Sequence, residues 1–496
     1  MRHIVGVVFS IMAFLLIMMC MPRTGAIYTH DSQSYEYAAS TILDSGKMLY
    51  FGYDTPIIQW PPFYIIISAA IKLMGVPFAQ GAAWVNAFAF AYLVYAACVF
   101  LFDSLSVKWL AIPALIMLTV CVPLIFISGY AWSEMLFVFL SVLSIILILE
   151  YVKREKQSWL IAAAVSSCLC WLTRYIGLVV IAVSAIILFA SAKTFWEKTK
   201  KTFIYLLISC VPMALWVLRN YIFSGTLTGG RLPGVYTFKD NVLFTMETFA
   251  GWLSFSNPLI AWIATSFFIF LAMLAVSMKK TAKKKKGSPD FFAFILYIIL
   301  YAAVLLASAT ESAMDPLDDR LWAPIFPFWV FALVLLFDKL LKNIKTGQAV
   351  KWMAAGFTMF TLIAVINPIT WIQSEGLTRK DALLGSKESP MAKQSPVLEL
   401  ARESVTPDDN TLVISNKASD LAMHTNLKCY YPPKKKGIPL YSFSRYSERM
   451  DSFKDIYLVW AGDPVSECFM DIPEFREKYE LEKIAQNNSC IIYKLK

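Results

Sequence analysis

Residues 158–190, SWLIAAAVSSCLCWLTRYIGLVVIAVSAIILFA, form two apolar runs separated by a single charged residue, Arg174. Each run approaches the roughly 20 apolar residues that a helix needs to cross a bilayer. The 496-residue chain repeats this pattern, because 58% of its residues are hydrophobic, 16% are charged and its mean hydropathy is +0.58. Soluble domains carry about 25% charged residues. The composition therefore predicts an α-helical polytopic membrane protein and excludes a soluble globular enzyme.

Eleven apolar runs qualify, or nearly qualify, as transmembrane helices. They lie at about 4–21, 81–102, 109–128, 132–151, 158–173, 176–192, 203–222, 258–278, 291–309, 321–341 and 350–372. Because so many spans follow the first run, we expect an uncleaved first helix and not a signal peptide. The predicted fold is thus a bundle of about 11 transmembrane helices.

The distribution of charge predicts the orientation of this bundle. Residues 373–496 contain 18 basic and 18 acidic residues, so the whole net charge of +10 belongs to residues 1–372. If Pro61–Val76 is a helix on the outer membrane surface, 19 Lys and Arg residues fall on one side of the membrane and 8 on the other. A Lys and Arg excess marks the cytoplasmic face. We therefore predict a multi-pass protein of the cytoplasmic membrane with its N-terminus inside, and no nucleic-acid partner.

The last part of the chain differs from the rest in composition. Strand-like runs occur at Thr411–Ser415, Ile456–Trp460 and Ser489–Tyr493, after a helical stretch at about 396–405. About 120 residues are enough for a small α/β domain with its own core. We therefore predict two domains. They are a transmembrane catalytic domain at 1–372, with an outer loop at 22–80 that carries juxtamembrane helices, and a soluble extracytoplasmic α/β domain at 373–496.

The cysteines of the predicted extracytoplasmic domain leave its disulfide status open. Cys429, Cys468 and Cys490 lie in a segment that we expect to be exported. Disulfides persist in oxidising compartments, so one bridge with one thiol left over is compatible with the sequence.

The predicted outer face gathers charged residues that topology does not require, and such residues are candidates for a functional site. They are Asp31, Glu134, Arg174, Arg219, Arg231, Asp315, Asp318, Asp319 and Arg320. Asp31 suits a general base that accepts a proton from an acceptor hydroxyl. It also suits the N-cap of a helix over Ser32–Leu43, and the two roles are compatible. Glu134 either belongs to the site or complements the dipole of the helix that it begins.

Arg174 and Arg320 are cations on the face where the positive-inside rule predicts none. Aromatic residues flank both of them, and a guanidinium can grip a phosphate through two parallel hydrogen bonds. The alternative interpretation is a salt bridge from these arginines to Asp318, Asp319 or Glu134.

The order of several short motifs resembles the GT-C superfamily of integral-membrane glycosyltransferases, notably the protein O-mannosyltransferases and the bacterial lipid A aminoarabinose transferases. The motifs are Asp31 with Tyr35, Trp60-Pro61-Pro62-Phe63-Tyr64, Ser133-Glu134, Thr173-Arg174-Tyr175-Ile176-Gly177, Arg320–Pro327, and Leu412-Val413-Ile414-Ser415-Asn416 in the tail. Two positions depart from the family pattern. Ser32 stands where family members often carry a second acid, and Trp60 stands where they often carry His or Lys. The missing second acid weakens the case for a metal ion at the first outer loop.

The resemblance implies an enzyme that moves a sugar from a polyprenyl-phosphate donor to a glycan, lipid or protein acceptor on the outer face of the membrane, with inversion. It implies catalytic parts for Asp31 and Glu134. Substrate-binding parts are implied for Tyr35, Arg174, Tyr175 and Arg320. The donor is a substrate and not a cofactor, and we assign no metal ligands, although the family pattern leaves a divalent metal ion open.

Two other classes of protein remain as alternatives. A transporter or lipid flippase usually shows ionisable residues at the membrane midplane, broken helices or repeated halves, and we find none in the sequence. A lipid-linked glycan polymerase or ligase would keep the outer arginines. Its distinguishing property would be a processive product with a distribution of lengths.

The predicted topology is testable with two single-cysteine variants, Ser288→Cys and Ser395→Cys. The native thiols are masked before the variants are labelled. An impermeant thiol reagent on intact cells should label residue 395 and leave residue 288 unlabelled, because the lysines at 279–286 are expected inside. Labelling of residue 288 alone would reverse the orientation.

Overall fold

The computed structural model describes residues 1–22, 24–191, 194–252, 289–343, 395–435, 439–462 and 469–496. In these ranges, six helices are long and apolar enough to cross a membrane. They are Arg2–Cys20, Phe78–Ser104, Glu134–Arg154, Phe195–Ser224, Pro289–Glu311 and Asp319–Lys342. The predicted spans at 258–278 and 350–372 lie outside the described residues. The multi-pass helical architecture is confirmed, and the count of about 11 spans stays a prediction.

The helices before residue 260, in chain order, are α1 (Arg2–Cys20), α2 (His30–Ser45), α3 (Phe63–Leu73), α4 (Phe78–Ser104), α5 (Ala111–Thr119), α6 (Val122–Ser128), α7 (Glu134–Arg154), α8 (Gln157–Thr173), α9 (Leu178–Ser191), α10 (Phe195–Ser224) and α11 (Phe238–Trp252). The later helices are α12 (Pro289–Glu311), α13 (Asp319–Trp322), α14 (Phe326–Asn343), α15 (Pro396–Ser404), α16 (Ala418–His424), α17 (Phe443–Met450) and α18 (Ile472–Arg476).

Three predicted spans depart from straight, full-length helices. The span predicted at 109–128 is a bent pair, in which Lys108–Thr119 and Val122–Ser128 meet at 45°. Helices α8 and α9 contain 17 and 14 residues, so each is about 21–26 Å long at 1.5 Å per residue. Both are shorter than the roughly 30 Å apolar layer of a bilayer. The break between them is at Arg174, the charged residue that interrupts the apolar sequence.

Helix α3 has the dimensions of a helix that lies along a membrane surface. Its 11 residues extend about 16 Å, which is too short to cross a bilayer. Pro62 immediately precedes the helix, where the missing N–H of a proline costs no hydrogen bond. One face of the helix is buried, and Ile66 is 48% exposed on the other. A helix is therefore present within the predicted Pro61–Val76 segment, and its position on the outer membrane surface stays a prediction.

Helix α2 begins two residues earlier than predicted, and Asp31 is not its N-cap. The cap is Thr29, whose Oγ1 accepts a hydrogen bond from the Ser32 backbone N–H, while the Ser32 side chain accepts one from the Thr29 N–H. This reciprocal capping box satisfies two N–H groups that helix formation leaves without partners. The N-cap interpretation of Asp31 was therefore wrong. The carboxylate lies in the first turn of the helix and is left for other contacts.

The C-terminal part contains the predicted small α/β unit. Its strands are β3 (Thr411–Ser415), β4 (Lys428–Tyr430), β5 (Asp455–Ala461), β6 (Leu481–Gln486) and β7 (Cys490–Leu495), after the hairpin strands β1 (Leu49–Tyr50) and β2 (Thr55–Pro56). The five-stranded sheet has the order β4-β3-β5-β7-β6, with β3 parallel to both of its neighbours and β7 antiparallel to both of its own. Every residue of β3 is buried, as expected for a strand covered on both faces. Cys429 and Cys490 are free thiols, and Cys468 lies outside the described residues.

The C-terminal sheet packs directly on the first predicted outer loop. The Tyr431 backbone N–H donates to the Gly52 carbonyl oxygen at 3.1 Å, and the rings of Tyr53 and Tyr441 lie 4.7 Å apart. Gln33 of α2 donates to the carbonyl oxygen of Ser419 at 3.3 Å. The hairpin and α2 therefore form one packed unit with the sheet.

Substitution of Gly52 by alanine tests how tightly this unit is packed, and the same substitution at Gly46 is the matched control. Both residues have positive φ angles, +78° and +69°, so an alanine at either position costs about 1–2 kcal/mol of backbone strain. A Cβ at Gly52 would lie 2.5 Å from Tyr431 Cδ2, whereas a Cβ at Gly46 meets nothing within 4 Å. Gly52→Ala should therefore lower the melting temperature more than Gly46→Ala and expose residues 395–496 to protease. Equal effects would mean that the Tyr431 ring moves without cost.

Candidate active site

Four of the predicted site residues converge on one cluster of charges. Asp31 comes from the first turn of α2, Glu134 begins α7, Arg174 lies between α8 and α9, and Arg320 lies in α13. Arg320 Nη2 is 2.5 Å from Asp31 Oδ2, and Arg320 Nε is 2.5 Å from Glu134 Oε1. Arg174 Nη1 is 2.8 Å from the same Glu134 oxygen. The cluster joins residues up to 289 positions apart in the sequence.

Glu134 is the centre of the cluster. Its side chain is only 2% exposed, and one oxygen, Oε1, accepts a hydrogen bond from Arg320 Nε and forms a salt bridge with Arg174 Nη1. A carboxylate that is buried this far needs a paired cation, because removing an ion from water is expensive. The salt-bridge interpretation of the two arginines is thus realised, but their partners are Glu134 and Asp31, not Asp318 or Asp319.

The acidic residues beside Arg320 shape the chain locally. The Asp318 carboxylate caps α13 by accepting from the Arg320 backbone N–H at 3.0 Å, and Asp319 Oδ1 accepts from the Trp252 indole N–H at 2.6 Å. These contacts fix the backbone from which Arg320 extends. Its guanidinium then lies over the Trp132 ring, 3.9 Å from the ring centroid. A cation in that position is attracted by the ring face, so Arg320 is held by charge and by stacking.

Arg174 owes its position to a tight turn. Its backbone is extended, with φ −148° and ψ 138°, between the end of α8 and a short 3-10 turn at Tyr175–Gly177. A Cβ at Gly177 would lie 2.6 Å from the Trp171 Cα, so only glycine fits this close approach. The turn places Arg174 Nη1 within 3.3 Å of Ser133 Oγ as well as against Glu134.

Tyr35 contacts the cluster through Ser133, a residue to which the sequence analysis gave no part. The Tyr35 hydroxyl and Ser133 Oγ are 3.3 Å apart, and the tyrosine is 1% exposed. Burial, together with the charges of Glu134 and Asp31, raises the pKa of Tyr35 well above its usual value. The hydroxyl therefore stays protonated at neutral pH and is not a base. The motif Ser133-Glu134 was the available sequence signal for Ser133.

The hydroxyl of Tyr175, a predicted substrate-binding residue, is engaged in hydrogen bonds with other residues of the protein. Its hydroxyl donates to the Ile58 carbonyl oxygen at 2.8 Å and accepts from Asn220 Nδ2 at 3.0 Å and Trp216 Nε1 at 3.2 Å. This contact holds the loop before Trp60 against α10. In this structure Tyr175 supports the wall of the site and does not present its hydroxyl to it.

Asp31 is the more accessible carboxylate of the cluster. Its side chain is 30% exposed, against 2% for Glu134. Arg320 holds Oδ2, whereas Oδ1 has no hydrogen-bond partner among the described residues. The arrangement therefore offers one oriented carboxylate oxygen to a ligand.

Two further arginines lie near Tyr175. Arg219 Nη1 donates to the Ile57 carbonyl oxygen at 2.5 Å, and its guanidinium lies 4.6 Å from the Trp216 ring centroid. Arg231 is exposed and close enough to act on the Tyr175 hydroxyl electrostatically. Within the described ranges neither forms a salt bridge, unlike Arg174 and Arg320. The described residues contain no group of three or more His, Cys, Asp or Glu side chains that could hold a metal ion.

Comparison with solved structures shows what this fold is similar to. The chain is similar to ArnT from Cupriavidus metallidurans bound to undecaprenyl phosphate, with a TM-score of 0.63 and 11% identity over 98% of this chain and 97% of that one. It is similar to the protein O-mannosyltransferase Pmt1-Pmt2 complex of S. cerevisiae bound to the sugar donor, with a TM-score of 0.53 and 10% identity over 79% and 92% of the two chains. It is also similar to the arabinofuranosyltransferase AftD from Mycobacteria, with a TM-score of 0.54 and 11% identity over 98% and 41%.

No protein-family model and no curated protein sequence matches the chain. These three structures are of membrane glycosyltransferases that have the GT-C fold. The chain therefore has the GT-C fold, and the resemblance inferred from its motifs is confirmed at the level of fold.

Glu134→Gln tests whether the buried carboxylate holds the cluster together. The substitution leaves two arginines, 18% and 24% exposed, without their shared anion, so we expect a loss of about 3 kcal/mol or more of stability. Glu150→Gln is the matched control, because Glu150 also lies on α7 but pairs with the more exposed Lys153 and Arg154, of which Lys153 keeps Asp290 as a partner, and it should cost less than Glu134→Gln. Thermal unfolding in detergent measures both. Equal melting temperatures for the two variants would contradict a structural part for Glu134.

Proposed function

We propose that the protein is a membrane glycosyltransferase that moves a sugar from a polyprenyl-phosphate donor to an acceptor on the outer face of the cytoplasmic membrane. The observation that carries this proposal is the cluster itself. It combines one oriented, accessible carboxylate with guanidinium groups that keep free N–H donors. The GT-C fold supports the proposal, because structurally similar proteins include one bound to undecaprenyl phosphate and one bound to a sugar donor.

The arginines of the cluster suit the donor. A polyprenyl chain stays in lipid, so its phosphate lies at the membrane surface. Arg174 uses Nη1 for Glu134 and Ser133, and Arg320 uses Nε and Nη2 for the two acids. Each guanidinium carries five N–H donors, so both retain donors for a phosphate oxygen. Stabilising the charge on the departing phosphate is the main contribution that such a site makes to the rate.

Charge balance points to two additional residues on the donor side. The two carboxylates of the cluster, Asp31 and Glu134, offset the charges of Arg174 and Arg320. A donor phosphate needs further positive charge. Arg219 and Arg231 are the candidates for it, since both lie near Tyr175 and neither forms a salt bridge with a described residue. We assign them to the donor phosphate together with the two arginines of the cluster.

Asp31 acts on the acceptor. Its free Oδ1 accepts the proton of an acceptor hydroxyl while that oxygen attacks the anomeric carbon of the donor sugar. The bond from the anomeric carbon to the phosphate oxygen breaks, and the polyprenyl phosphate leaves with the electron pair. Attack from the side opposite to the phosphate inverts the configuration. Glu134 has a positioning part, because among the described residues its buried carboxylate contacts only the two arginines and Ser133.

The membrane arrangement that we propose follows from the charge asymmetry of the sequence. The N-terminus is inside, and residues 22–80, with the catalytic Asp31, and residues 373–496 are outside. The transmembrane part up to residue 372 carries the site, and the C-terminal α/β domain forms part of its outer wall. The partners are the polyprenyl-phosphate sugar, membrane lipid and a glycan, lipid or protein acceptor.

Asp31→Asn is the decisive substitution. It removes the proton acceptor and leaves the helix cap intact, because the cap is Thr29. Transfer should fall by roughly 10²-fold or more, the scale of a general base, with little change in melting temperature. Asp44→Asn is the matched control, since Asp44 is an exposed acid near the end of the same helix.

The measurement is mass spectrometry of lipid-linked sugars and surface glycans in the native host, a deletion strain, and the deletion strain complemented with each variant. The deletion should accumulate a polyprenyl-phosphate sugar and lose one sugar from a glycan, lipid or protein. Full complementation by Asp31→Asn would remove Asp31 from the mechanism. A product with a broad distribution of lengths would identify a polymerase.

A further inference from the structure

A cavity lies on the other side of α2 from the charge cluster. Its volume is about 420 Å³, within the usual range of about 300–1,000 Å³ for small-molecule sites. The walls come from α2, the β1–β2 hairpin, the end of α3, and the sheet around β4. Glu36 and Ser40 follow Asp31 by five and nine residues, so they lie about 140–180° around the helix from it. The helix therefore separates this cavity from Asp31.

Glu36 and Lys72 are the charged side chains of this cavity that keep unused hydrogen-bonding atoms, whereas Lys428, also in the wall, is paired with Asp54 at 3.1 Å. Lys72 donates one hydrogen bond, to Ser40 Oγ at 2.5 Å, and forms no salt bridge within the described ranges. Its ammonium group has two further N–H donors. Glu36 accepts from the Tyr28 hydroxyl through Oε2, and its Oε1 has no hydrogen-bond partner among the described residues. The cavity thus presents the free donors of Lys72, which α3 places beside Ser40, and the free carboxylate oxygen of Glu36, one helical turn before Ser40 on α2.

Aromatic rings form much of the remaining wall. Tyr28, Tyr37, Phe51 and Tyr430 line the cavity, and the rings of Tyr37 and Phe51 meet edge to face with centroids 5.7 Å apart. Asp54 holds the hydroxyls of both Tyr37 and Tyr430. These rings are therefore fixed in place and offer rigid apolar surface.

We propose that this cavity is a secondary carbohydrate site, which binds sugar units of the glycan acceptor that do not react. The inference rests on the proposed function, since it assigns an extended glycan as the acceptor. A sugar ring has apolar faces that suit the aromatic wall. Its neighbouring hydroxyls each donate and accept, which suits the pair of Glu36 and Lys72. An anionic lipid headgroup is a poorer fit, because the Glu36 carboxylate would face its charge and the second lysine of the wall, Lys428, is already paired with Asp54.

The position of the cavity relative to Asp31 also suits a site that holds the acceptor glycan. The cavity wall is shared by α2, which carries Asp31, and by the C-terminal sheet, which is joined to α2 through Gln33 and Ser419. A glycan held there would be anchored on the same helix that carries the proposed base. The site would then select the acceptor and leave the chemistry at Asp31 unchanged.

Binding of neutral tetrasaccharides to the full-length protein tests the proposal without relying on transfer. The probes are maltotetraose, cellotetraose, α-1,6-mannotetraose and chitotetraose, measured by saturation-transfer NMR with the protein in phosphatidylcholine nanodiscs. We expect at least one probe to bind. Glu36→Gln and Lys72→Ala should each weaken that binding about tenfold, as for loss of a hydrogen bond to a charged group. Glu36→Gln keeps an acceptor for Tyr28, so it should fold normally.

Asp44→Asn and Lys47→Ala are the controls, because they change the same charges at exposed positions near the end of α2 and should leave binding unchanged. Asp31→Asn should abolish transfer and keep tetrasaccharide binding, so failure of the proposed base is distinguishable from failure of this site. Absence of binding by all four probes, or binding that survives both cavity substitutions, would overturn the proposal. Replacement of tetrasaccharide binding by Lys72-dependent binding of phosphatidylglycerol would also overturn it and would identify a lipid site.

Discussion

The pairing of one buried carboxylate with two arginines is the constraint on which the site depends. Glu134 begins α7 with almost no exposed surface, and its charge has to be balanced because burial removes the water that would otherwise solvate it. Arg174 and Arg320 reach it from different parts of the chain. The junction between α8 and α9 and the start of α13 are thereby fixed against the end of α7. Asp31 joins the same network through Arg320, so the position of α2 follows from it.

Helix α2 carries two different surfaces because its cap fixes where it starts. Thr29 and Ser32 close the first turn, and the Ser32 side chain also donates to the Ala131 carbonyl oxygen at 3.0 Å. The helix is therefore held both at its own end and to the segment that precedes Glu134. With this anchoring, Asp31 and Tyr35 face the charge cluster, while Glu36 and Ser40 face the C-terminal sheet. The sheet is consequently part of the environment of the site.

The comparison with solved structures shows that a similar helical fold forms from sequences with low identity. Identities of 10–11% accompany TM-scores of 0.53–0.63, so the helical framework persists with few shared residues. Many apolar sequences fill a transmembrane helix equally well, because the interior requires volume and low polarity. Charged residues at the mouth of such a bundle are far less interchangeable, since each one needs a partner of opposite charge.

The multi-pass helical architecture and most of the secondary-structure elements follow from the amino-acid sequence. Long apolar runs predict membrane helices because lipid requires about 20 apolar residues, and the strands at Thr411–Ser415 and 490–495 follow from local pattern. The sequence also identified Asp31, Glu134, Arg174 and Arg320 as charges without a topological reason. Which of these charges meet is visible only in the fold, because a salt bridge across 289 residues leaves no local signal in the sequence. In the fold, Thr29 and not Asp31 caps helix α2, and the Tyr175 hydroxyl donates to the Ile58 carbonyl oxygen. Both outcomes depend on competition among hydrogen-bond partners that only the folded chain brings together.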